Sequence, residues 1–248
     1  MLAENYIQNW DEVVKHVLEC YPNEAGGIVT TDNIFHPIAN VSETPLTGFE
    51  FHPREMIEKD VKCILHSHPY DPNAAPEDDP RIPSKCDLEG QINTDIEWAI
   101  VVTEGENVTP PIFWGDYDHR PDLFNREFIH SVQDCLAFMC DWQYKEYGLK
   151  LPMFPRHFDW FQEGEDHMEQ QYEGWGFKDV SHLPQEKGDV VFYRIQSQVV
   201  NHVAVVAEPN VVVHQLYGRF PKTEPYEVWA KYIVKRIRHS SHPSFKTA

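Results

Sequence analysis

The short apolar runs of this chain fall into two groups, and a helical pattern precedes each group. The first group contains GGIVT, VKCILHSH and EWAIVVT, and the second contains GDVVFYRI, NHVAVVAE and NVVVHQL. Runs of this length and β-branched content predict strands, whereas the apolar stripe in NWDEVVKHVLEC and the pattern of SVQDCLAFMCDWQYKEYG predict helices. A chain of 248 residues commonly forms two domains. We therefore expect an α+β protein with domains at residues 1–117 and 118–248.

The composition argues against several classes of partner. Hydrophobic residues make up 41% of the sequence, so a packed core is expected. The formal net charge of −19 repels phosphate groups, which argues against nucleic acid and anionic membranes but allows a basic protein partner. We expect no signal peptide and no membrane insertion, because no run approaches the roughly 18 apolar residues of a membrane span. The five cysteines lack a repeating spacing, which is typical of a reduced, cytosolic site of synthesis.

The run CILHSHP ends in two histidines, His66 and His68, that share one face of a strand because strand side chains alternate. Two such imidazoles are natural ligands of a divalent metal, and a catalytic zinc needs a third protein ligand and an open position for water. Asp87, after a long proline-rich loop, is the expected third ligand. Glu24, between the first helix and the first strand, is the expected base that activates the water.

Two histidines in a chain that contains 14 of them would by themselves be read as surface residues. Here Glu24 precedes HSHP at residues 66–69, and SKCD follows at residues 84–87. This order resembles the JAMM (MPN+) metalloisopeptidase signature, and the further matches outweigh the surface interpretation. The resemblance covers about the first 115 residues of the sequence.

The JAMM resemblance implies a mixed β-sheet with flanking helices and one bound Zn²⁺. It assigns metal binding to His66, His68 and Asp87, activation of the water to Glu24, and stabilisation of the oxyanion to Ser84. Cys86 is adjacent to the expected third ligand, and its thiolate could compete for zinc. We expect Cys86 to be a bystander and the metal to have nitrogen and oxygen ligands.

A second candidate site is centred on Cys135, which follows Asp134 at the start of a predicted helix. A helix N-terminus lowers the pKa of a thiol, and its free backbone N–H groups can hold an oxyanion. A cysteine nucleophile also needs a base and a residue that orients the base. His202 opens one predicted strand and His214 lies late in the next, so antiparallel pairing would bring them together. The competing interpretation is a buried cysteine that packs as a small apolar side chain.

The segment DCLAF, followed by GDVVFY, NHVAVV and VVVHQL, resembles the NlpC-type, papain-like cysteine peptidases, which cleave peptides of bacterial cell walls. The resemblance implies an antiparallel sheet and an N-terminal helix that carries the nucleophile. The nucleophile, the base and the orienting residue then fall on Cys135, His202 and His214. Leu136 stands where the family often has a small polar residue, which leaves the substrate preference open.

The tandem of a JAMM domain and an NlpC-type domain resembles the tail-tip assembly proteins of long-tailed bacteriophages, and REFIHSVQDCLAFMCDWQYKEYGLKLP contributes much of this similarity. The resemblance implies synthesis in the host cytoplasm and then a place in the virion tail tip, with other tail-tip proteins and peptidoglycan peptides as partners. We therefore expect a hydrolase with two sites. The alternatives are a non-catalytic assembly or docking factor and a cellular isopeptidase that acts on ubiquitin-like modifiers.

Overall fold

The computed structural model describes residues 6–57, 59–115 and 119–245. The chain divides into two compact units, Met1–Arg120 and Pro121–Ala248, which are called here the N-terminal and the C-terminal unit. The expected boundary between residues 117 and 118 lies outside the described residues. No helix in the described ranges is long and apolar enough to cross a membrane.

The N-terminal unit contains one mixed sheet with helices. In chain order its elements are α1 (Trp10–Cys20), β1 (Gly26–Thr30), β2 (Phe35–Ile38), α2 (Arg54–Ile57), β3 (Val61–Pro69), α3 (Lys85–Thr94), β4 (Glu97–Thr103) and β5 (Ile112–Trp114). The sheet order is β2-β1-β3-β4-β5. The β3–β4 pair is parallel, and the other pairs are antiparallel.

The predicted helix at the start of the chain and the three predicted strands of the first group are confirmed as α1, β1, β3 and β4. Val13 and Val17 of α1 are fully buried and pack in one core with residues of β1, β3 and β4. The short edge strands β2 and β5 were not predicted. The proline-rich stretch between β3 and α3 contains only a short 3₁₀ turn at Pro76–Asp78 among its described residues, as expected for a surface loop.

The C-terminal unit contains an antiparallel sheet with a helix near its start. Its elements are α4 (Cys135–Tyr147), α5 (His167–Gln171), β6 (Phe177–Asp179), β7 (Val190–Tyr193), β8 (His202–Glu208), β9 (Val211–His214), β10 (Lys222–Pro225) and β11 (Ile233–His239). The sheet order is β10-β9-β8-β7-β11-β6. All of its described strand pairs are antiparallel.

The predicted helix and the three predicted strands of the second group are confirmed as α4, β7, β8 and β9. Gly148 ends α4 in the left-handed region with φ 68°, and Asn210 turns the chain between β8 and β9 with φ 66°. The run VWAKYIVKRIRH predicts a closing strand. The observed strand is shorter, because Tyr226–Tyr232 form a 3₁₀ helix and the strand begins at Ile233. The segment SSHPSFKTA predicts a frayed tail. This prediction is partly wrong, since Arg238 Nη1 donates to Ser244 Oγ at 2.9 Å.

Candidate active sites

The histidine pair of the N-terminal unit lies at the end of β3, and the structure brings the two rings together. His66 Nε2 and His68 Nε2 are 3.0 Å apart. His68 Nδ1 lies 2.8 Å from the carbonyl oxygen of Pro80. A carbonyl can only accept, so His68 Nδ1 carries a proton, and in the neutral ring His68 Nε2 has a free lone pair. The proline-rich loop therefore holds His68 in the tautomer that a metal requires.

Two carboxylates flank these imidazole nitrogens, and Asp87 is the nearer one. Asp87 Oδ1 is 3.2 Å from His66 Nε2, and Asp87 Oδ2 is 3.6 Å from His68 Nε2. Glu24 Oε1 is 3.9 Å from His68 Nε2. Ligand atoms of Glu24, His66 and His68 lie within 4.8 Å of one another, so the distances allow Glu24 to act as a ligand as well. Asp87 is thus the nearer carboxylate, and its role as the third ligand, with Glu24 as the base, stays a prediction.

Ser84 holds the Asp87 carboxylate through a capping box at the start of α3. Asp87 N donates to Ser84 Oγ at 3.1 Å, and Ser84 N donates to Asp87 Oδ2 at 2.7 Å. The segment DLEGQINT predicts a short helix with Ser84 as its N-cap, and the structure confirms this cap. Its hydroxyl oxygen accepts a backbone N–H here, and the role of Ser84 toward an oxyanion stays a prediction. Cys86 is exposed to solvent.

Aromatic rings surround His66 and keep it away from water. His66 is fully buried; its ring stacks on Phe49 at 5.5 Å, and it meets Trp98 edge-on at 5.8 Å. Gly26 permits this packing, because a Cβ at that position would lie 2.3 Å from the Phe49 ring. Burial also raises the pKa of Glu24, which makes its carboxylate a stronger base.

The donor set fits a zinc ion on its chemistry. Two imidazole nitrogens and a carboxylate oxygen are a common set of three ligands for a catalytic zinc, and His68 is held in the matching tautomer. His66 Nδ1 is buried and has no hydrogen-bond partner among the described residues.

Ser67 lies between the two histidines and faces the other side of the strand, as the alternation predicts. Its Oγ accepts a hydrogen bond from Ala25 N at 2.9 Å. This bond ties the segment that carries Glu24 to β3. Sequence reasoning did not assign a role to Ser67, because its partner is 42 residues away in the chain.

Cys135 occupies the first position of α4, as predicted, but the Asp134 side chain already accepts hydrogen bonds from two of the N–H groups at this helix end. Asp134 Oδ1 accepts from Leu136 N at 3.0 Å and from Ala137 N at 2.9 Å. The expectation that the helix N-terminus offers free N–H groups to an oxyanion is therefore wrong for Leu136 and Ala137. Burial and the adjacent Asp134 carboxylate raise the pKa of the Cys135 thiol to about 12. This is the opposite of the lowered pKa expected from the helix N-terminus.

The two histidines of the C-terminal unit form a direct contact across β8 and β9. His202 Nε2 and His214 Nδ1 are 2.7 Å apart, and both side chains are buried. The backbone of Val203, the residue after His202, opposes the rise in the pKa of Cys135, so Cys135 lies close to the start of β8. The structure thus brings the predicted nucleophile to the same end of β8 as the predicted base.

The chain of contacts continues to a residue that sequence reasoning missed. His214 Nε2 lies 2.8 Å from Glu224 Oε2 on β10. Burial, and for His202 the neighbouring His214, lower the pKa of both histidines. Both rings are therefore neutral near pH 7. The segment KTEP contains no large apolar side chain. Its sequence therefore does not predict the strand that pairs with β9.

The NlpC/P60 family matches residues 114–238, about half of the chain. The chain therefore belongs to the NlpC/P60 family. Among curated proteins it is similar to tail tip assembly protein K of Escherichia phage N15, with 24% identity over 246 aligned positions that cover 92% of this chain and 93% of the relative. It is also similar to tail tip assembly protein K of Escherichia phage lambda, with 25% identity over 184 positions that cover 74% of this chain and 84% of the relative.

Two solved structures also show similarity. One is an NLP/P60-family protein, described as similar to lipoprotein, from Staphylococcus aureus, with 19% identity and a TM-score of 0.30. The match covers 49% of this chain and 37% of that protein. The other is an NlpC/P60 family protein from Bacillus cereus, with 13% identity, a TM-score of 0.31, and coverage of 91% of this chain and 66% of that protein.

Proposed function

We propose that this chain is a phage tail-tip protein whose C-terminal unit is a cysteine peptidase for the stem peptides of peptidoglycan. The observation that carries the proposal is the buried His202–His214 contact beside the helix that begins with Cys135. Membership of the NlpC/P60 family supports the peptidase chemistry. Both curated relatives are named as tail tip assembly proteins, which supports a place in the virion tail and other tail proteins as partners.

In this mechanism Cys135 is the nucleophile and His202 is the general base. The thiol sulfur attacks the peptide carbonyl while its proton moves to His202, and the protonated imidazole then gives this proton to the leaving amine. Water hydrolyses the resulting thioester and regenerates the thiol. Because the pKa of Cys135 is raised to about 12, the resting pair is a neutral thiol and a neutral imidazole. Proton transfer therefore accompanies the attack on bound substrate.

We further propose that the N-terminal unit is a JAMM-type zinc isopeptidase. His66, His68 and Asp87 would hold the ion, and a bound zinc supplies Lewis-acid polarisation of the carbonyl and of a water molecule. Glu24 takes the proton of the attacking water, a role that its raised pKa favours. Ser84 would donate its hydroxyl to the developing oxyanion.

A non-catalytic role as an assembly or docking factor is the second candidate. The occupied N–H groups of Leu136 and Ala137 favour it, because they remove two donors that an oxyanion could use. The raised pKa of Cys135 points in the same direction. Both curated relatives are named tail tip assembly proteins, which also supports this candidate.

Digestion of purified peptidoglycan by the purified full-length chain tests the proposal. Mass spectrometry of the soluble fragments should show cleaved stem peptides for the wild type and for Glu24→Ala, and none for Cys135→Ala. Cys140→Ala is the matched control, since Cys140 is a buried cysteine of the same helix. Cleavage by Cys135→Ala at the wild-type rate would refute the cysteine mechanism. A folded wild type that releases no peptide would favour the assembly factor.

A further inference from the structure

Glu224 closes a line of hydrogen-bonded groups that begins at His202. His202 Nε2 is 2.7 Å from His214 Nδ1, and His214 Nε2 is 2.8 Å from Glu224 Oε2. Strand pairing places these groups side by side, because β8 pairs with β9 and β9 pairs with β10. His202 and His214 are both at least nine-tenths buried, so water does not compete for the bond between them.

The carboxylate determines where each proton lies in this line. An ionised carboxylate only accepts, so His214 Nε2 must carry the proton that is donated to Glu224. A neutral imidazole has one N–H, and His214 Nδ1 is therefore an acceptor. His202 Nε2 must then donate to His214 Nδ1, which leaves His202 Nδ1 without a proton. Of the two ring nitrogens of His202, Nδ1 is then the one with a free lone pair that can accept a proton.

Glu224 is itself held in place as an anion. Trp229 Nε1 donates to Glu224 Oε2 at 2.6 Å, and Lys222 Nζ lies 2.5 Å from Glu224 Oε1. Burial alone would raise the pKa of Glu224, but the bonds from Lys222, Trp229 and His214 outweigh it and lower the pKa to about 2. The Trp229 ring also packs against His214, with ring centroids 5.3 Å apart.

We propose that Glu224 is a positioning residue that fixes both histidines as the Nε2–H tautomer and so keeps His202 Nδ1 free to accept the Cys135 proton. The inference rests on the proposed cysteine peptidase function for its catalytic meaning. Without the carboxylate, His214 can donate from Nδ1 to His202 Nε2. His202 then carries its proton on Nδ1 and cannot act as the base.

The test uses the full-length chain labelled with ¹⁵N-histidine. Two-bond ¹H–¹⁵N correlation spectra distinguish protonated from unprotonated ring nitrogens. In the wild type, His202 and His214 should each show a protonated Nε2 and an unprotonated Nδ1. Glu224→Leu should abolish this single pattern and slow both iodoacetamide alkylation of Cys135 and peptidoglycan hydrolysis by about 10²-fold or more, as loss of a general base does.

Two matched variants separate positioning from stability. Glu224→Gln keeps a carbonyl that can accept from His214 Nε2, so it should retain the tautomers and at least a tenth of the alkylation rate. Glu227→Leu removes an exposed carboxylate three residues away, and it should leave spectra and rates unchanged.

Three outcomes would overturn the inference: a protonated Nδ1 on His214 of the wild type, unchanged tautomers in Glu224→Leu, or equal slowing of alkylation by Glu227→Leu. The wild-type spectrum decides even if Glu224→Leu does not fold. Failure of the proposed function would give a different result. The tautomers and the alkylation rate would change in the Glu224 variants as expected, but the wild type would leave peptidoglycan intact.

Discussion

Asp134→Asn is expected to destabilise the C-terminal unit by about 3–5 kcal/mol, the cost of breaking a buried ion pair by neutralising one partner. Asp134 forms an ion pair with Arg156, and the two side chains are 5% and 1% exposed. Asparagine can still cap α4 through its carbonyl oxygen, which would accept the N–H groups of Leu136 and Ala137. Its NH₂ group, however, would face the Arg156 guanidinium and the backbone N–H of Ser131, which donates to Asp134 at 2.9 Å.

The pKa of Asp134 gives a second measure of the same interaction. Burial alone would raise this pKa, but the Arg156 guanidinium, with smaller contributions from His130 and the helix N–H groups, lowers it from 3.8 to about 2. That difference corresponds to roughly 2–3 kcal/mol of stability. Because the pKa of the folded state lies below that of the unfolded state, this contribution is present above about pH 4 and is lost as the pH falls through 2.

Urea denaturation at pH 7, followed by tryptophan fluorescence, measures the effect. With an m-value of about 2 kcal/mol/M, Asp134→Asn should lower the urea midpoint of the C-terminal unit by roughly 2 M. Arg156→Met should have a similar effect, and the double variant should be more stable than the sum of the single losses predicts. Asp159→Asn is the control: its carboxylate is exposed, and surface changes usually stay within about 0.5 kcal/mol.

Two results would refute this reasoning. The urea midpoint of Asp134→Asn could equal that of the control Asp159→Asn, which would mean that the ion pair with Arg156 adds nothing to stability. Alternatively, the losses of the two single variants could add in the double variant, which would mean that the two residues do not interact.

Three further outcomes follow from the two sites. Glu24→Gln should keep bound zinc near stoichiometric, whereas Asp87→Asn should lower the zinc content. X-ray absorption should show no sulfur shell near 2.3 Å. A lower zinc content in Glu24→Gln than in Asp87→Asn would make Glu24 the ligand. The rate of Cys135 alkylation, measured by mass spectrometry, should rise continuously from pH 6 to pH 10, because the pKa of the thiol is raised to about 12. His202→Ala should slow this alkylation. A maximum rate near pH 6 would show a resting thiolate–imidazolium pair. A chelator should leave peptidoglycan hydrolysis intact, since none of the residues assigned to that reaction is among the proposed metal ligands; inhibition without unfolding would contradict the cysteine mechanism.

The sequence by itself determined the features that depend on near neighbours in the chain. Alternation along β3 put His66 and His68 on one face and turned Ser67 to the other. The helix starts after the N-caps Ser84 and Asp134 were predictable because capping involves residues two or three positions apart. The longer strands were predictable from their apolar runs, whereas β2, β5 and β10 are short edge strands with a weak pattern.

Only the tertiary structure decided the protonation and the charge of the site residues. The raised pKa of Cys135 depends on burial, and Asp134, which also raises it, is held by Arg156 from 22 positions further along the chain. The tautomer of His68 depends on the Pro80 carbonyl, and that of His214 on Glu224. A loop or a strand pairing brings each of these groups into place. The sequence does not reveal the path of the loop or the register of the pairing. The periodicity of apolar residues depends on near neighbours in the chain. The electrostatic environment of a residue depends instead on the groups that the fold packs beside it.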